Sequence, residues 1–193
     1  MIADILVFLK DRLNAHLNLI SGSVIGGASE DKVVFIDGDQ KPDSISFKLG
    51  AVSILLFNIE QDNTLRQADS YKRIASDGST LKINPDIILN LYILLVAKFS
   101  DYKEGLQYLT VILRYFQANP YFDQQNAPEL LGIDHLAIEL NTQTTTQQNE
   151  LWGVLRSCYI PSLVYKIKAV TFTDEAGLPI ADASEIILNT GQL

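Results

Sequence analysis

One cysteine, one tryptophan, one methionine and two histidines stand in a chain of 193 residues. The lone Cys158 excludes an internal disulfide and a zinc site built on cysteine pairs. It falls among apolar residues where a helix should end, so a buried thiol is expected. The two histidines, His16 and His135, are far apart and fit no metal-ligand spacing. Basic residues are also scarce. Fifteen Lys and Arg against 23 Asp and Glu leave a net charge of −8. Nucleic-acid phosphates and anionic membrane surfaces both require clustered Lys and Arg, so neither is an expected partner. The most apolar run, Ile87 to Ala97, contains Asn90 and is too short to span a bilayer as a helix. The opening MIADILVFLKDRL lacks the basic start and small-residue cleavage site of a secretion signal. A soluble protein made in the cytoplasm is expected.

Hydrophobic residues are plentiful at 47%, enough for a core in one domain with a tail. Ile2, Ile5, Leu6, Leu9, Leu13, Leu17 and Ile20 repeat at helical spacing and predict a long first helix, ended by Gly22, Gly26 and Gly27. Lys32 to Ile36 reads as a short strand, followed by a turn at Asp37-Gly38-Asp39 and a loop through Pro42. Leu49 to Glu60 reads as a strand buried on both faces, with Val52, Ile54 and Leu56 on one and Leu55, Phe57 and Ile59 on the other. The polar stretch from Gln61 to Asn84 reads as a hairpin or exposed arm turning at Asp77-Gly78.

Ile87 to Phe99 is expected as a central strand. A helix follows, with Asp101 and Glu104 at capping-box spacing and Asn119-Pro120 as its stop. Leu106, Leu109, Leu113 and Phe116 mark its buried stripe, broadened by Tyr108, Ile112 and Tyr115. His135 to Leu140 is a strand. Thr145-Thr146 caps a helix over Gln147 to Ser157, Pro161 breaks it, and Ser162 to Thr173 is the last long strand. The expected fold is α/β of the α+β kind, a mixed sheet with helices packed mainly on one face. Residues 1–174 form the domain and 175–193 a C-terminal tail or arm.

No catalytic, cofactor or metal signature is complete. The glycines of GSVIGGASEDK place Ala28-Ser29 where a phosphate loop needs Lys-Ser or Lys-Thr, and they follow a helix rather than a strand. Asp37, Asp39 and Asp43 begin like a calcium loop but lack its remaining ligands. No Gly-x-Ser-x-Gly elbow occurs. Asp174-Glu175 reads as solvated charge. The aromatics Tyr108, Tyr115, Phe116, Tyr121 and Phe122 read as core and interface, since the acidic balance removes the field a base-stacking platform needs.

Four blocks in fixed order carry a resemblance: NLYILLVAKFSDY (Asn90 to Tyr102), YLTVILRYFQANPYF (Tyr108 to Phe122), LAIELN (Leu136 to Asn141) and QNELWGVLRSCYIPSLVYKIKAVTF (Gln148 to Phe172). With the opening helix they resemble the tail-terminator, or cap, proteins of extracellular contractile injection systems, as in the antifeeding prophage and the Photorhabdus virulence cassettes. The resemblance covers about residues 1 to 174 and points to the N-terminal domain of that family. It implies a tail-terminator-like fold and a hexameric ring that closes the inner tube and the sheath at the end opposite the baseplate. It also implies a component of an assembled particle that is released extracellularly. The implied partners are other copies of the chain, the inner tube protein and the sheath protein, with no enzymatic activity and no cofactor. This chain departs in being shorter than members with a further C-terminal region, and in having Arg156-Ser157-Cys158 where smaller residues are expected before the tyrosine. A different adaptor or baseplate subunit of such a particle is an alternative. So, from another class, is an enzyme using the 22–43 loop region.

Two groups of residues are singled out. Trp152, Tyr159 and Pro161 mark a core junction, with Trp152 buried between the last helix and the strand from Leu163 to Phe172. An exposed Trp152 would instead be an interface anchor. Ile186, Ile187 and Leu188 mark an interface in the tail, because ASEIIL is too small to build a core of its own. It either folds back on its own domain or adds a strand to a neighbour's sheet edge.

Overall fold

The computed structural model describes residues 1–24, 31–36, 45–62, 72–74, 80–82, 84, 87–130, 133, 135–172 and 178–179. The turn residues Asp37 to Pro42, Asp77-Gly78, and the tail residues Ile186, Ile187 and Leu188 lie outside them. The chain divides into two units. One comprises Met1–Gln61 and Leu89–Val170, the other Asp62–Ile88 and Thr171–Leu193.

The first unit is built on a six-stranded sheet in the order β1-β2-β5-β8-β7-β6. Its strands are β1 (Val33–Phe35), β2 (Ala51–Gln61), β5 (Ile87–Lys98), β6 (Tyr121–Asp123), β7 (His135–Leu140) and β8 (Ser162–Phe172). β1 and β2 are parallel, and the pairs β2/β5, β6/β7 and β7/β8 are antiparallel, so the sheet is mixed, as expected. Among the described residues there are three helices, α1 (Ile2–Val24), α2 (Tyr102–Ala118) and α3 (Thr145–Val154).

The register assigns the faces. Val52 pairs with Ala97 and Ile54 with Leu95, so these four side chains share one face. Ser53, Leu55, Leu94 and Val96 share the other. Helix α2 lies on the first face: a Cβ on Gly105 would sit 3.7 Å from that of Ala97, and the Phe116 ring lies 4.7 Å from Tyr165. Helix α1 packs beside it, with His16 against Tyr115 at 4.7 Å and Phe8 edge-on to Phe122. The short α3 covers the opposite face through Trp152 and Leu155. Two of three helices therefore share a face. β5, apolar on both sides, sits centrally with Leu91, Ile93, Leu94, Leu95 and Val96 fully buried.

Local details differ from the periodic expectation. Helix α1 runs through Gly22 to Val24. It buries Phe8 and Asn14 alongside Ile5, Leu9, Leu13 and Leu17, and leaves Ile20 exposed. In α2 the buried side is Gly105, Tyr108, Leu109, Ile112 and Phe116, while Leu106 is 41% exposed. The close approach of Gly105 to Ala97 and Phe99 turns that side toward the sheet and carries Leu106 to the flank. The Asp101 carboxylate caps the helix by accepting from the Lys103 N–H at 2.9 Å, one residue short of Glu104. In β2 the register shifts between Leu56, opposite Ile93, and Asn58, opposite Tyr92. Phe57 is the extra residue of this bulge. Beyond it Ile59 pairs with Leu91, so it crosses to the face of Ile54, not the face of Leu55 expected from strict alternation.

In the second unit β3 (Lys72–Ile74) and β4 (Thr80–Lys82) form the antiparallel hairpin expected of the polar stretch, with Ile74 opposite Thr80. β9 (Leu178–Pro179) pairs with β4 and places Pro179 opposite Leu81. Proline is tolerated there because β9 is an edge strand.

Burial of Tyr165 on β8 pushes its hydroxyl up to about 12, and burial also raises Tyr108 and Tyr115. Tyr165 is 2% exposed. An unfolded tyrosine ionises near pH 10, so the folded state keeps a proton that the unfolded state gives up. Stability is therefore complete below pH 10 and falls as the pH rises through about 12. The expected loss across that interval is ~2–3 kcal/mol. Urea titrations at several alkaline pH values should show this decline, flattened in Tyr165→Phe. An equal decline in that variant would assign it elsewhere.

Candidate functional site

Among the described residues, no group of three His, Cys, Asp or Glu side chains could hold a metal ion. His16 leans on Tyr115, while His135 stacks on Tyr121 at 5.6 Å. Asp37, Asp39 and Asp43, with most of the 22–43 loop, lie outside the described residues. No described helix is long and apolar enough to cross a membrane. The structured feature is the junction from Thr144 to Ser162.

The junction begins with a capping box. The Thr144 hydroxyl accepts from the Gln147 N–H at 3.3 Å, and the Gln147 side-chain carbonyl accepts from the Thr144 N–H at 2.9 Å. The cap is thus one residue before the expected Thr145-Thr146, with Thr144 and Gln147 forming the box although Thr145 also has a glutamine, Gln148, three residues on. Trp152, 5% exposed, packs with Phe47, Leu94, Val96, Leu155 and Val164. Phe47 meets its ring edge-on at 6.0 Å and Tyr159 at 5.7 Å.

Helix α3 ends before the expected Ser157, in a Schellman turn. The Ser157 N–H donates to the Trp152 carbonyl at 3.3 Å, and the Arg156 N–H to the Gly153 carbonyl at 3.2 Å. Arg156 takes the left-handed position, with φ of 51°. Glycine is the usual residue there, yet the glycine of this segment is Gly153, inside the helix. A Cβ at Gly153 would meet nothing within 4 Å. Gly153→Ala is expected to raise stability by about 0.5–1 kcal/mol, since alanine loses less backbone entropy in a helix. A urea midpoint below that of the wild type would contradict this.

The turn sends the chain outward. Cys158 is exposed, not buried as expected from its apolar neighbours. Tyr159 is 58% exposed despite its edge contact with Trp152. Pro161 is half-buried, and its carbonyl accepts from the Ala97 N–H at 3.0 Å, tying the segment to β5. An open groove of about 380 Å³ runs beside it, lined by Ala97, Phe99, Tyr102, Gly105, Tyr159 and Pro161 among others. Sequence reasoning missed Val154, which at 81% is the most exposed large apolar side chain among the described residues. Its signal was present: two residues beyond Trp152, it lies about 200° around the helix from the buried ring.

The sequence matches the family model described as the Pvc16 N-terminal domain over residues 4–182. No curated protein matches it. Two solved structures are similar. A cryo-EM structure of the anti-feeding prophage cap, a tube-terminating cap, has a TM-score of 0.52 at 16% identity, over 90% of this chain and 58% of that one. A cryo-EM structure of the sheath/tube terminator of the PVC extracellular contractile injection system, in its extended state, has a TM-score of 0.47 at 20% identity, over 74% of this chain and 52% of that one. The chain thus spans little more than half the length of either. The first likeness gives a shared fold, a mixed six-stranded sheet with three helices.

Proposed function

Because the chain belongs to the Pvc16 N-terminal domain family, we propose that it is a structural subunit that caps the tube of a contractile injection particle. The observation that carries this reading is the family match over residues 4–182, on a fold shared with a tube-terminating cap. In this reading six copies form a ring on the distal end of the inner tube, contact tube and sheath subunits, and stop further growth. The subunit is made in the cytoplasm, binds no nucleic acid and catalyses no reaction. Its net charge of −8 supports a protein partner over a phosphate backbone. Tail residues Ile186, Ile187 and Leu188 serve an intermolecular contact in the same reading.

Deleting the gene tests it. Negative-stain images of the deletion strain should show particles of irregular length, or none. Particles of normal length and stability would sink the cap assignment. A gold-labelled chain found at the baseplate end would make it an adaptor or baseplate subunit instead.

A further inference from the structure

The outermost strands of the six-stranded sheet, β1 and β6, are closed by the same chemistry. Just before β1 the Lys32 carbonyl accepts from the Val52 N–H at 2.7 Å and so faces β2. The next residue, Val33, therefore points its N–H and carbonyl away from the sheet. The Asn14 amide takes both, donating to the carbonyl at 2.9 Å and accepting from the N–H at 2.8 Å. Just before β6 the Pro120 carbonyl accepts from the Ile138 N–H at 2.8 Å and so faces β7. By alternation Tyr121 and Asp123 point outward. The Asn126 amide bridges them, donating to the Tyr121 carbonyl at 3.1 Å and accepting from the Asp123 N–H at 2.9 Å. The Asp123 carbonyl is also occupied, by the Ala127 N–H at 2.8 Å. A primary amide offers a donor beside an acceptor, as a neighbouring strand would, and completes an edge without extending the sheet.

One helix reaches both edges. Lys10 and Asn14 lie on one flank of α1, and Lys10 pairs with Asp31 beside β1 at 3.8 Å. Phe8 and Arg12, each two residues earlier, lie about 200° around the helix from them. Phe8 meets Phe122 of β6 edge-on at 5.1 Å. Arg12 donates to the Asn126 carbonyl at 2.8 Å and pairs with Glu129 at 2.7 Å. A flat sheet of six strands would hold its outermost strands about 24 Å apart. A helix is only about 10–12 Å across. The sheet therefore curls until its two edges flank α1, and the helix fills the gap between them.

Unpaired backbone at a sheet edge is a template for strand addition from another chain. We propose that α1, with the amides of Asn14 and Asn126, guards both edges of this sheet and keeps copies of the chain from joining by strand addition. The partner kept out is a second copy, and its point of entry is β6. Asn14 is 5% exposed and held in the core, whereas the β6 edge is held by Asn126, an exposed side chain. Two β6 edges can meet antiparallel in a two-fold contact. The guard belongs to the single chain and holds whether or not that chain caps a tube.

The test uses the purified full chain carrying Asn126→Ala, a change at an exposed position that leaves the core intact. The Asp123 amide should exchange about tenfold faster, as for one lost hydrogen bond. At about 100 μM, where open edges associate, sedimentation velocity should give about double the wild-type mass, whatever that mass is. Adding Tyr121→Lys should return the mass to the wild-type value, since lysine on an edge strand opposes its pairing. Aggregation from mere loss of stability would not respond in this way. An Asn126→Ala chain that keeps the wild-type mass would overturn the proposal. So would a heavier species that persists in the chain with both changes.

Discussion

Trp152→Ala is expected to destabilise the protein by about 3–5 kcal/mol, the usual cost of emptying a large aromatic site. The side chain is 5% exposed and fills the space between α3 and the sheet face formed by Leu94, Val96 and Val164. Alanine leaves a cavity bordered by Phe47 on one side and Tyr159 on the other. Phe47 and Leu155 are themselves buried in the same cluster, so neither can collapse far into the gap. Trp152→Phe keeps most of the contact and should cost less than half as much. Urea unfolding followed by circular dichroism measures both variants. As the only tryptophan in the chain, Trp152 also reports its own burial. Its native emission should be blue-shifted and resist acrylamide quenching. A loss below about 1 kcal/mol in the alanine variant would show that α3 does not depend on this ring.

Asn14→Leu is expected to cost about 2–6 kcal/mol through a different mechanism. Asn14 is buried in α1, and its side-chain amide binds one residue of β1 twice. Its Nδ2 donates to the Val33 carbonyl at 2.9 Å, and the Val33 N–H donates to its Oδ1 at 2.8 Å. The amide thus acts as a surrogate strand along the outer edge of β1. Leucine matches its bulk but leaves a buried donor and a buried acceptor without partners, at about 1–3 kcal/mol each. Asn14→Asp offers an acceptor to the Val33 N–H, but when ionised it has no donor for the Val33 carbonyl. It should therefore regain stability at acid pH, where the protonated carboxyl can donate again. Amide exchange at Val33 should accelerate in both variants. Unchanged exchange in Asn14→Leu would mean that the edge is protected by something else.

These two positions also show what the sequence could disclose. Trp152 was legible because Leu151 and Leu155 flank it at helical spacing and an alternating strand follows Pro161. β5 and β7 were legible from composition and alternation alone. Asn14 was not, since a polar residue in an apolar stripe gives no sign of a backbone partner nineteen positions away. The bulge at Phe57 was hidden because the strand remains apolar on both sides of it. Cys158 was misjudged because a Schellman turn with arginine at the glycine position carries no sequence mark. Leu106 was misjudged because the direction of a helix's buried face is set by Gly105 meeting the sheet, a tertiary contact.

The strand order β1-β2-β5-β8-β7-β6 has a consequence for synthesis. β5 and β8 are neighbours in the sheet, yet α2, β6, β7 and α3 separate them in the chain. At ~5–20 residues per second, several seconds pass between the emergence of β5 and that of β8. During that time β5, which is buried on both faces of the finished sheet, has β2 on one side and an open edge on the other. Such an edge invites pairing with another nascent chain. A ribosome-bound chain ending before Ser162 should therefore associate with holdase chaperones, and release should follow once β8 has emerged and closed the centre of the sheet.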